Sequence, residues 1–342
     1  MRDTVKLVCL EAGEPVRLGL RRVAVPSPAA GEVVVRVEAS SVNPIDVKRA
    51  TGYGRRLLGL KGAGRFPLVL GNDLAGTVEA VGRGAGRWRV GDRVMGLLPT
   101  GKGGAHAGHV AVDAGLLRPV VDAIAFDAQA VLPYTFTTLW LALRGAGITA
   151  DKARGLSVVV HGASGGLGQL ALQLLMRWGA SVTAICSTSN VDLCRTLGAA
   201  TVWDRTRQRL DDLPAGFDAG LNFGAWQDEE TLVGRLRKGA LGHATAVHPL
   251  LSNFDRHGWL AGAWRSRGDW KRMRTLAEAK GARYRWTMFQ PDQEALDVLH
   301  DLVMHGTLAL PVGIAVPLSD AQSAFDHVAR RKKGRAVLHP LR

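Results

Sequence analysis

Hydrophobic positions in the first third of the chain form short runs that are broken by Gly and Pro. This texture predicts strands over residues 5–10, 32–41, 74–81, 92–95 and 109–112. The run at 32–38 combines alternation with a continuous apolar stretch, which is typical of a strand with one face packed inward. We therefore expect a β-rich, partly antiparallel module that reaches to about residue 120.

The pattern changes after residue 127 to apolar strands that alternate with helical periods. A helix is predicted over 128–144 and a strand over 157–161. In the next helix Ala171, Leu174, Leu175 and Trp178 recur at i, i+3, i+4 and i+7, so one face packs on a sheet. Further strands are predicted over 182–186, 201–203, 219–223, 244–248 and 284–289, with a helix over 191–197. This alternation predicts an α/β fold with a six-stranded parallel sheet.

The last stretch returns to short strands, predicted over 310–317 and 335–339, around a helix over 319–330. We expect them to pack back on the first module, which makes that module discontinuous in sequence.

A glycine turn follows the predicted strand 157–161. Ala163, Gly165 and Gly168 occupy the three positions of a dinucleotide fingerprint. Small residues at these positions let the backbone approach a pyrophosphate, which the amides and the positive end of the following helix stabilise. The predicted cofactor-binding turn comprises Ala163, Ser164, Gly165, Gly166, Leu167 and Gly168.

The end of the second strand, about twenty residues further on, normally selects the dinucleotide, because an acidic residue there binds the ribose of NAD. This chain has Ser187, Thr188 and Asn190 instead. Without a carboxylate at these positions a 2′-phosphate is not repelled, and Arg205 can add a charge-assisted contact. The sequence therefore predicts NADPH, although Ser189 stands where a basic residue would strengthen a phosphate site.

Composition changes this picture little. The net charge of +14 would suit nucleic acid, anionic lipid or a phosphate-rich ligand, but the basic residues are scattered and lack the interleaved aromatics of a single-strand platform. We interpret them as a solvated surface and do not expect nucleic acid as a partner. Three scattered cysteines exclude a disulfide framework and a closed zinc site. With no apolar leader and no apolar run of membrane length, we expect a cytoplasmic protein.

Several motifs resemble the quinone oxidoreductase branch of the medium-chain dehydrogenase/reductase superfamily. They include residues 42–46 (VNPID), 52–54 (GYG), 66–73 (FPLVLGND), 91–94 (GDRV) and 132–134 (LPY). Residues 186–190, 255–258 and 284–286 are similar to the reticulon-interacting mitochondrial oxidoreductases and their bacterial relatives. The resemblance implies a GroES-like catalytic domain over 1–126, completed by 291–342, and a Rossmann NADP-binding domain over 127–290.

The zinc dehydrogenases of this superfamily place a Cys where the chain has Asn43, and a His–Glu pair where it has Asn72 and Asp73. Their third ligand falls near Pro133, and the cysteine-rich lobe of a structural zinc is missing. Asn, Asp and Pro cannot replace a thiolate and imidazole set. We therefore expect no metal and no zinc-dependent alcohol oxidation.

The resemblance implies hydride transfer to an electron-poor carbon of a quinone, an enone or an enal. It places Asn43 and Tyr53 at the substrate end of the cleft as donors to the developing oxyanion, and Thr138 and His248 near the nicotinamide. Asp46 matches a structural carboxylate. Whether water or His161 supplies the proton stays open. One departure is the segment 218–224, which lacks the usual Asp-x-Val-Gly ending of the fourth strand.

The resemblance also implies a homodimer. A second hypothesis, weakly supported by the basic charge, is an NADPH-binding partner without catalysis, or an RNA-binding protein of the crystallin-like type. The physiological acceptor does not follow from the sequence.

Overall fold

A computed structural model describes residues 2–341; Met1 and Arg342, the outer limits of the expected catalytic domain, lie outside the described residues. The chain divides into two compact units, one running to Thr137 and resuming at Gln290, the other spanning Thr138–Phe289. The boundaries expected from the sequence, 126/127 and 290/291, stay a prediction.

The first unit is built on β-strands. A two-stranded antiparallel sheet joins β1 and β2, and a seven-stranded sheet has the order β14-β15-β3-β4-β5-β7, with β6 paired to β3. Most neighbours are antiparallel, whereas β14 and β15 run parallel. The strands, numbered along the whole chain, are β1 Asp3–Cys9, β2 Leu18–Ala24, β3 Glu32–Val42, β4 Asp73–Val81, β5 Arg93–Leu97, β6 His109–Asp113, β7 Leu117–Pro119, β14 Val312–Pro317 and β15 Arg335–His339.

The helices of the first unit are α1 Pro44–Ala50, α2 Arg55–Gly59, α3 Phe126–Ala130, α10 Gln293–Met304 and α11 Ala321–Ala329, and the unit boundary falls inside α4 Pro133–Ala146. Helix α3 packs on the inner strands β3 and β4, and α11 packs on β14 and β15. Phe325 of α11 is fully buried with Leu7, Val42 and Leu338 in one apolar cluster. Because β15 pairs with β3, the last residues complete the module, as the sequence predicts.

The second unit is a doubly wound α/β domain. Its six strands are all parallel in the order β10-β9-β8-β11-β12-β13, the Rossmann order, which confirms the predicted fold class. The strands are β8 Ser157–His161, β9 Ser181–Cys186, β10 Thr201–Asp204, β11 Ala219–Asn222, β12 Gly242–Thr245 and β13 Arg283–Trp286. The helices are α5 Ala150–Ala153, α6 Gly166–Arg177, α7 Val191–Thr196, α8 Glu229–Gly234 and α9 Leu250–Glu278.

The helix predicted over 128–144 is wrong as a single element. It is two helices, α3 and α4, separated at Val131 and Leu132. Pro133 begins α4, where its missing N–H leaves no helical hydrogen bond unmade, but the same residue would break a continuous helix. The fifth and sixth strands also end earlier than expected, at Thr245 and Trp286, so His248 lies in the loop after β12.

Candidate active site

The turn between β8 and α6 is held by backbone contacts that leave no room for side chains. Gly162 has a φ of 75°, and a Cβ on it would lie 2.8 Å from the amide nitrogen of Gly224. A Cβ on Gly168 would overlap the Cα of Ala163. Glycine is therefore required at both positions, although Gly162 lies outside the three fingerprint positions recognised in the sequence.

The N-terminus of α6 presents amides to the outside of this turn. Gly165 precedes the helix without a side-chain cap, and its own amide donates to the carbonyl of Gly162 at 3.0 Å. The first amides of a helix have no acceptor within it. Those of Gly166 and Leu167, together with the dipole of the twelve-residue helix, suit the pyrophosphate of a dinucleotide.

The polar residues after β9 are bonded to one another. Asn190 Nδ2 donates to Ser187 Oγ at 2.9 Å, and Thr188 Oγ1 donates to Asp204 Oδ2 at 2.6 Å. Asp204 ends β10, which pairs with β9. The Thr188 hydroxyl therefore donates its hydrogen to the Asp204 carboxylate. No pattern in the sequence indicates this contact, because Asp204 lies on the next strand, β10.

Asp204 itself is well supplied with donors. Besides Thr188 it accepts from the amide of Thr206 at 2.9 Å, and Arg207 Nε lies 3.7 Å away. The hydrogen bond from Thr188 is the main reason why the pKa of Asp204 is lowered. The carboxylate thus faces donors of its own chain.

A surface cleft of about 300 Å³ lies beside these residues, and three arginines line it. The full lining is His161, Arg205, Thr206, Arg207, Gln208, Arg209, Leu210 and Asp228. Arg207 and Arg209 lie within 4 Å of Asp204 and Asp211. Arg205 is exposed, and the ion pairs recorded for residues 2–341 do not include it. Its guanidinium is therefore the one best placed for an anionic ligand.

His161 closes the inner end of this cleft. Its Nε2 lies 2.9 Å from Asp228 Oδ2, and burial lowers its pKa more than Asp228 raises it. A Cβ on Gly224 would overlap the His161 ring, so this ring also fixes the turn after β11. These contacts give His161 a packing role, and a part in proton transfer stays a prediction.

A buried carboxylate, Glu229, contacts side chains of three neighbouring strands, β11, β12 and β13. It accepts from Tyr284 Oη at 2.8 Å and from Asn222 Nδ2 at 2.6 Å, and His243 Nε2 lies 3.3 Å away. Burial raises the pKa of Glu229, but these three partners outweigh burial and the net shift is downward. The only sequence signal for this cluster was the unusual ending of the fourth strand.

Through Asn222 this cluster reaches the glycine turn. Asn222 Oδ1 accepts from the amide of Gly224 at 3.0 Å, and Gly224 lies against Gly162. Glu229 therefore holds the backbone on which the cofactor turn packs.

His248 is fixed by its ring. Nε2 donates to the carbonyl of Thr287 at 3.1 Å, and the ring stacks on Trp286 with centroids 4.8 Å apart. Burial lowers its pKa, which favours the neutral ring. Thr138, the other residue expected near the nicotinamide, is buried at the start of the second unit.

In the first unit Asn43 lies in a buried polar cluster. Its Nδ2 donates to Asp73 Oδ2 at 2.8 Å and to Ser41 Oγ at 3.0 Å, and its Oδ1 accepts from Arg335. Both amide hydrogens are therefore used inside the protein. The oxyanion role expected of Asn43 stays a prediction, and it requires this side chain to change partners.

Tyr53 is only partly buried, and its backbone amide donates to the carbonyl of Lys48 at 3.0 Å. The ammonium of Lys48 lies 5.4 Å from the centre of the Tyr53 ring, and burial lowers the pKa of Lys48. Asp46 accepts from the amides of Asn43 and Gly71, as a structural carboxylate does.

The positions that hold zinc in the zinc dehydrogenases carry different chemistry here. Asn43 and Asp73 bind each other, and Asn72 Nδ2 donates to the carbonyl of Leu98 at 2.8 Å. Within residues 2–341 no group of three or more His, Cys, Asp or Glu side chains is arranged to hold a metal ion.

Known proteins share this architecture. A family model described as the alcohol dehydrogenase GroES-like domain matches residues 29–121. The mitochondrial NAD(P)H oxidoreductase RTN4IP1 of Mus musculus is 33% identical over 325 residues, which cover 90% of this chain and 81% of that protein. The chloroplastic quinone-oxidoreductase homolog of Spinacia oleracea is 35% identical over 184 residues, 53% of this chain and 55% of that protein.

Two solved structures extend the comparison. The quinone oxidoreductase from Coxiella burnetii superposes with a TM-score of 0.83 at 22% identity and covers 99% of both chains. An alcohol dehydrogenase superfamily protein from Novosphingobium aromaticivorans has a TM-score of 0.78 at 28% identity, covering 98% of this chain and 99% of its own. The first likeness shows the fold.

Gly168→Ala should weaken the binding of the nicotinamide cofactor at least about tenfold, because the new Cβ displaces the Ala163 backbone and with it the pyrophosphate amides. Gly234→Ala is the matched control, since it lies in α8, outside the turn, and its Cβ would have no neighbouring group within 4 Å. Fluorescence titration with the cofactor measures both affinities. Equal losses in the two variants would contradict the assigned contact.

Asp73 should make the stability of the protein fall between pH 4 and 7. Burial raises its pKa from 3.8 to about 6, so the folded state holds a proton that the unfolded state has released. The stabilising contribution is therefore complete below pH 3.8 and is lost as the pH rises through about 6, a change of about 3 kcal/mol.

Urea unfolding over this pH range tests the effect. Asp73→Asn should remove that part of the pH dependence, whereas Asp122→Asn, which alters an exposed carboxyl, should leave it unchanged. The same slope in Asp73→Asn and the parent protein would show that Asp73 does not titrate there.

Proposed function

This chain belongs to the medium-chain dehydrogenase/reductase superfamily, in its quinone oxidoreductase branch, and is an NAD(P)H-dependent oxidoreductase; from that premise we propose that it transfers a hydride from NADPH to a quinone or to the activated double bond of an enone or enal, without zinc. The observation that carries the proposal is that the chain combines a glycine turn fitted to a dinucleotide with amide and carboxylate residues at the positions that hold zinc in the zinc dehydrogenases. Two features of one chain thus favour hydride transfer without a Lewis acid.

The nicotinamide supplies the hydride, and the protein's part is to position the acceptor and to stabilise the charge that develops on its oxygen. Gly166 and Leu167 bind the pyrophosphate through their amides. We assign Tyr53 and Asn43 as hydrogen-bond donors to the acceptor oxygen, and Thr138 and the backbone at His248 to the nicotinamide end. Asn43 would have to exchange Asp73 or Ser41 for the substrate.

NADPH is favoured over NADH by the residues around β9 and β10. Ser187 and Asn190 carry no charge, and the Asp204 carboxylate accepts from Thr188 and Thr206. Arg205 has no carboxylate partner among the ion pairs of residues 2–341. A 2′-phosphate in this cleft would pair with Arg205 through a charge-assisted hydrogen bond.

We propose a homodimer through the outer edge of β13, since this strand ends the parallel sheet. Within residues 2–341 no helix is long and apolar enough to cross a membrane. Cytoplasm remains our proposed location, although the relatives named above are mitochondrial or chloroplastic proteins.

The deciding experiment follows oxidation of NADPH against a panel of quinones, enals, enones and simple ketones, with NADH and added zinc as controls. We expect turnover of quinones or enones with NADPH, unchanged by zinc, and no reduction of simple ketones. Tight NADPH binding with no turnover of any acceptor would overturn the reductase proposal in favour of a binding role. Salt-dependent RNA binding would then test the second hypothesis.

Arg205→Gln should raise the KM for NADPH about tenfold or more, because a hydrogen bond between two charged groups contributes about 1.5–3 kcal/mol. The KM for NADH should stay the same, since that cofactor has no 2′-phosphate. Arg177→Gln, which alters an exposed arginine in the last turn of α6, is the matched control. A parallel rise for both cofactors would place Arg205 outside the phosphate site.

A further inference from the structure

Helix α9 carries large apolar side chains on its outer surface. Leu260 is 90% exposed, Trp264 74% and Trp259 46%. The opposite side of the helix is buried through Gly262, Ser266, Met273 and Ala277. Helical spacing places Leu260, Trp264, Arg267 and Lys271 along one line, so the exposed apolar residues continue into basic ones. Trp259 is not on this line; it follows a break in the helix at Gly258 and its ring packs against Phe254. We call Leu260, Trp264, Arg267, Lys271 and Arg274 the outer face of α9.

The outer face is strongly positive. Residues 256–272 contain five Arg or Lys and one acid, Asp269, whose carboxylate accepts from Asn253 at 3.0 Å. Arg272 pairs with Glu230, and Arg274 pairs with Glu278. No ion pair recorded in the described part of the chain engages Arg267 or Lys271. Two cations beside the exposed aromatics thus face solvent.

A cleft of about 560 Å³ lies on the same face. Its lining is Arg267, Trp270, Lys271, Arg274, Thr275 and Glu278. Arg274 lies over the Trp270 ring at 4.9 Å from its centre. Glu278 pairs with Arg274, so Arg267 and Lys271 give this lining a net positive charge beside the Trp270 ring. Such a lining suits a phosphate group attached to apolar material.

We infer that the outer face of α9 docks on the surface of an anionic phospholipid bilayer. Leu260 and Trp264 enter the headgroup region, where tryptophan and leucine of interfacial helices are stable, and Arg267 and Lys271 bind lipid phosphates. The attachment is peripheral and reversible. It is independent of the reductase activity proposed above, because no residue of the outer face belongs to the proposed cofactor or substrate site.

Two other occupants fit the face less well. A second copy would bring this face against itself in a symmetric dimer, with the cations of both copies close together and repelling. A nucleic acid would use the arginines and could stack bases on tryptophan, but Leu260, the most exposed apolar residue of the face, offers no stacking surface. A lipid surface uses Leu260 as well as the tryptophan and the cationic residues.

Vesicle co-sedimentation of the full chain tests the inference. We expect binding to vesicles of equimolar phosphatidylcholine and phosphatidylglycerol, weak binding to phosphatidylcholine alone, and release at high salt. Arg267→Gln and Lys271→Gln should each lower the partition coefficient about fivefold. Leu260→Ser with Trp264→Ser should abolish the blue shift of tryptophan emission that accompanies insertion.

Matched controls separate this face from general stickiness. Arg21→Gln with Arg22→Gln removes two exposed charges of β2, and Leu20→Ser removes a leucine that is 53% exposed; neither change should alter binding. Unchanged thermal unfolding of every variant would show that the folds are intact. Equal binding of the parent and the Arg267→Gln, Lys271→Gln double variant would overturn the inference. A tryptophan-dependent change in molar mass without lipid would also overturn the inference and would assign the face to a second copy. Tighter binding to RNA than to the anionic vesicles would overturn it as well.

Discussion

The nucleotide unit depends on a close approach of two backbone segments. The turn after β8 meets the turn after β11 where Gly162 lies against Gly224, and neither position has room for a Cβ. Two hydrogen bonds and one packing contact support this approach: Glu229 binds Asn222, Asn222 binds the Gly224 amide, and the His161 ring packs on Gly224. Because the start of α6 follows directly from this turn, the position of its pyrophosphate amides depends on a carboxylate that itself touches no cofactor atom.

The first unit also contains a buried carboxylate, Asp73, which a different set of partners stabilises. Asp73 is buried without exposure to solvent, and its desolvation is opposed by hydrogen bonds from Ser41 and Asn43 and by the charge of Arg335. Arg335 comes from β15, almost three hundred residues after Asn43. The C-terminal strand therefore contributes both an inner strand of the sheet, between β14 and β3, and the countercharge of a buried acid. A buried pair of this kind strongly penalises loss of one partner, which ties the last strand to the polar cluster.

The parts that sequence predicts well are those in which neighbours in the chain are also neighbours in space. The strand, glycine turn and helix at 157–177 are contiguous, so the dinucleotide motif and the parallel sheet follow from local pattern. Asp204, Glu229 and Arg335 act on residues that lie on other strands, and each looks like an ordinary surface charge in sequence. Periodicity also predicts one helix in place of α3 and α4, because the apolar spacing continues across Val131 and Leu132. In the structure Pro133 begins a new helix.

Asp204 lies on a different strand from the position that the sequence rule examines, and the choice of cofactor is therefore hard to predict from one position. The sequence rule reads the residue at the end of β9, where Ser187 and Thr188 carry no charge. The acid lies instead at the end of β10, where Asp204 is opposite Cys186, the last residue of β9, and Thr188 donates to Asp204. That carboxylate already accepts hydrogen bonds from Thr188 and Thr206 and lies near Arg207, so groups of its own chain offset part of its negative charge. The field at a ribose phosphate then depends on the balance between Asp204 and Arg205, adjacent residues of opposite charge, rather than on the presence of an acid alone.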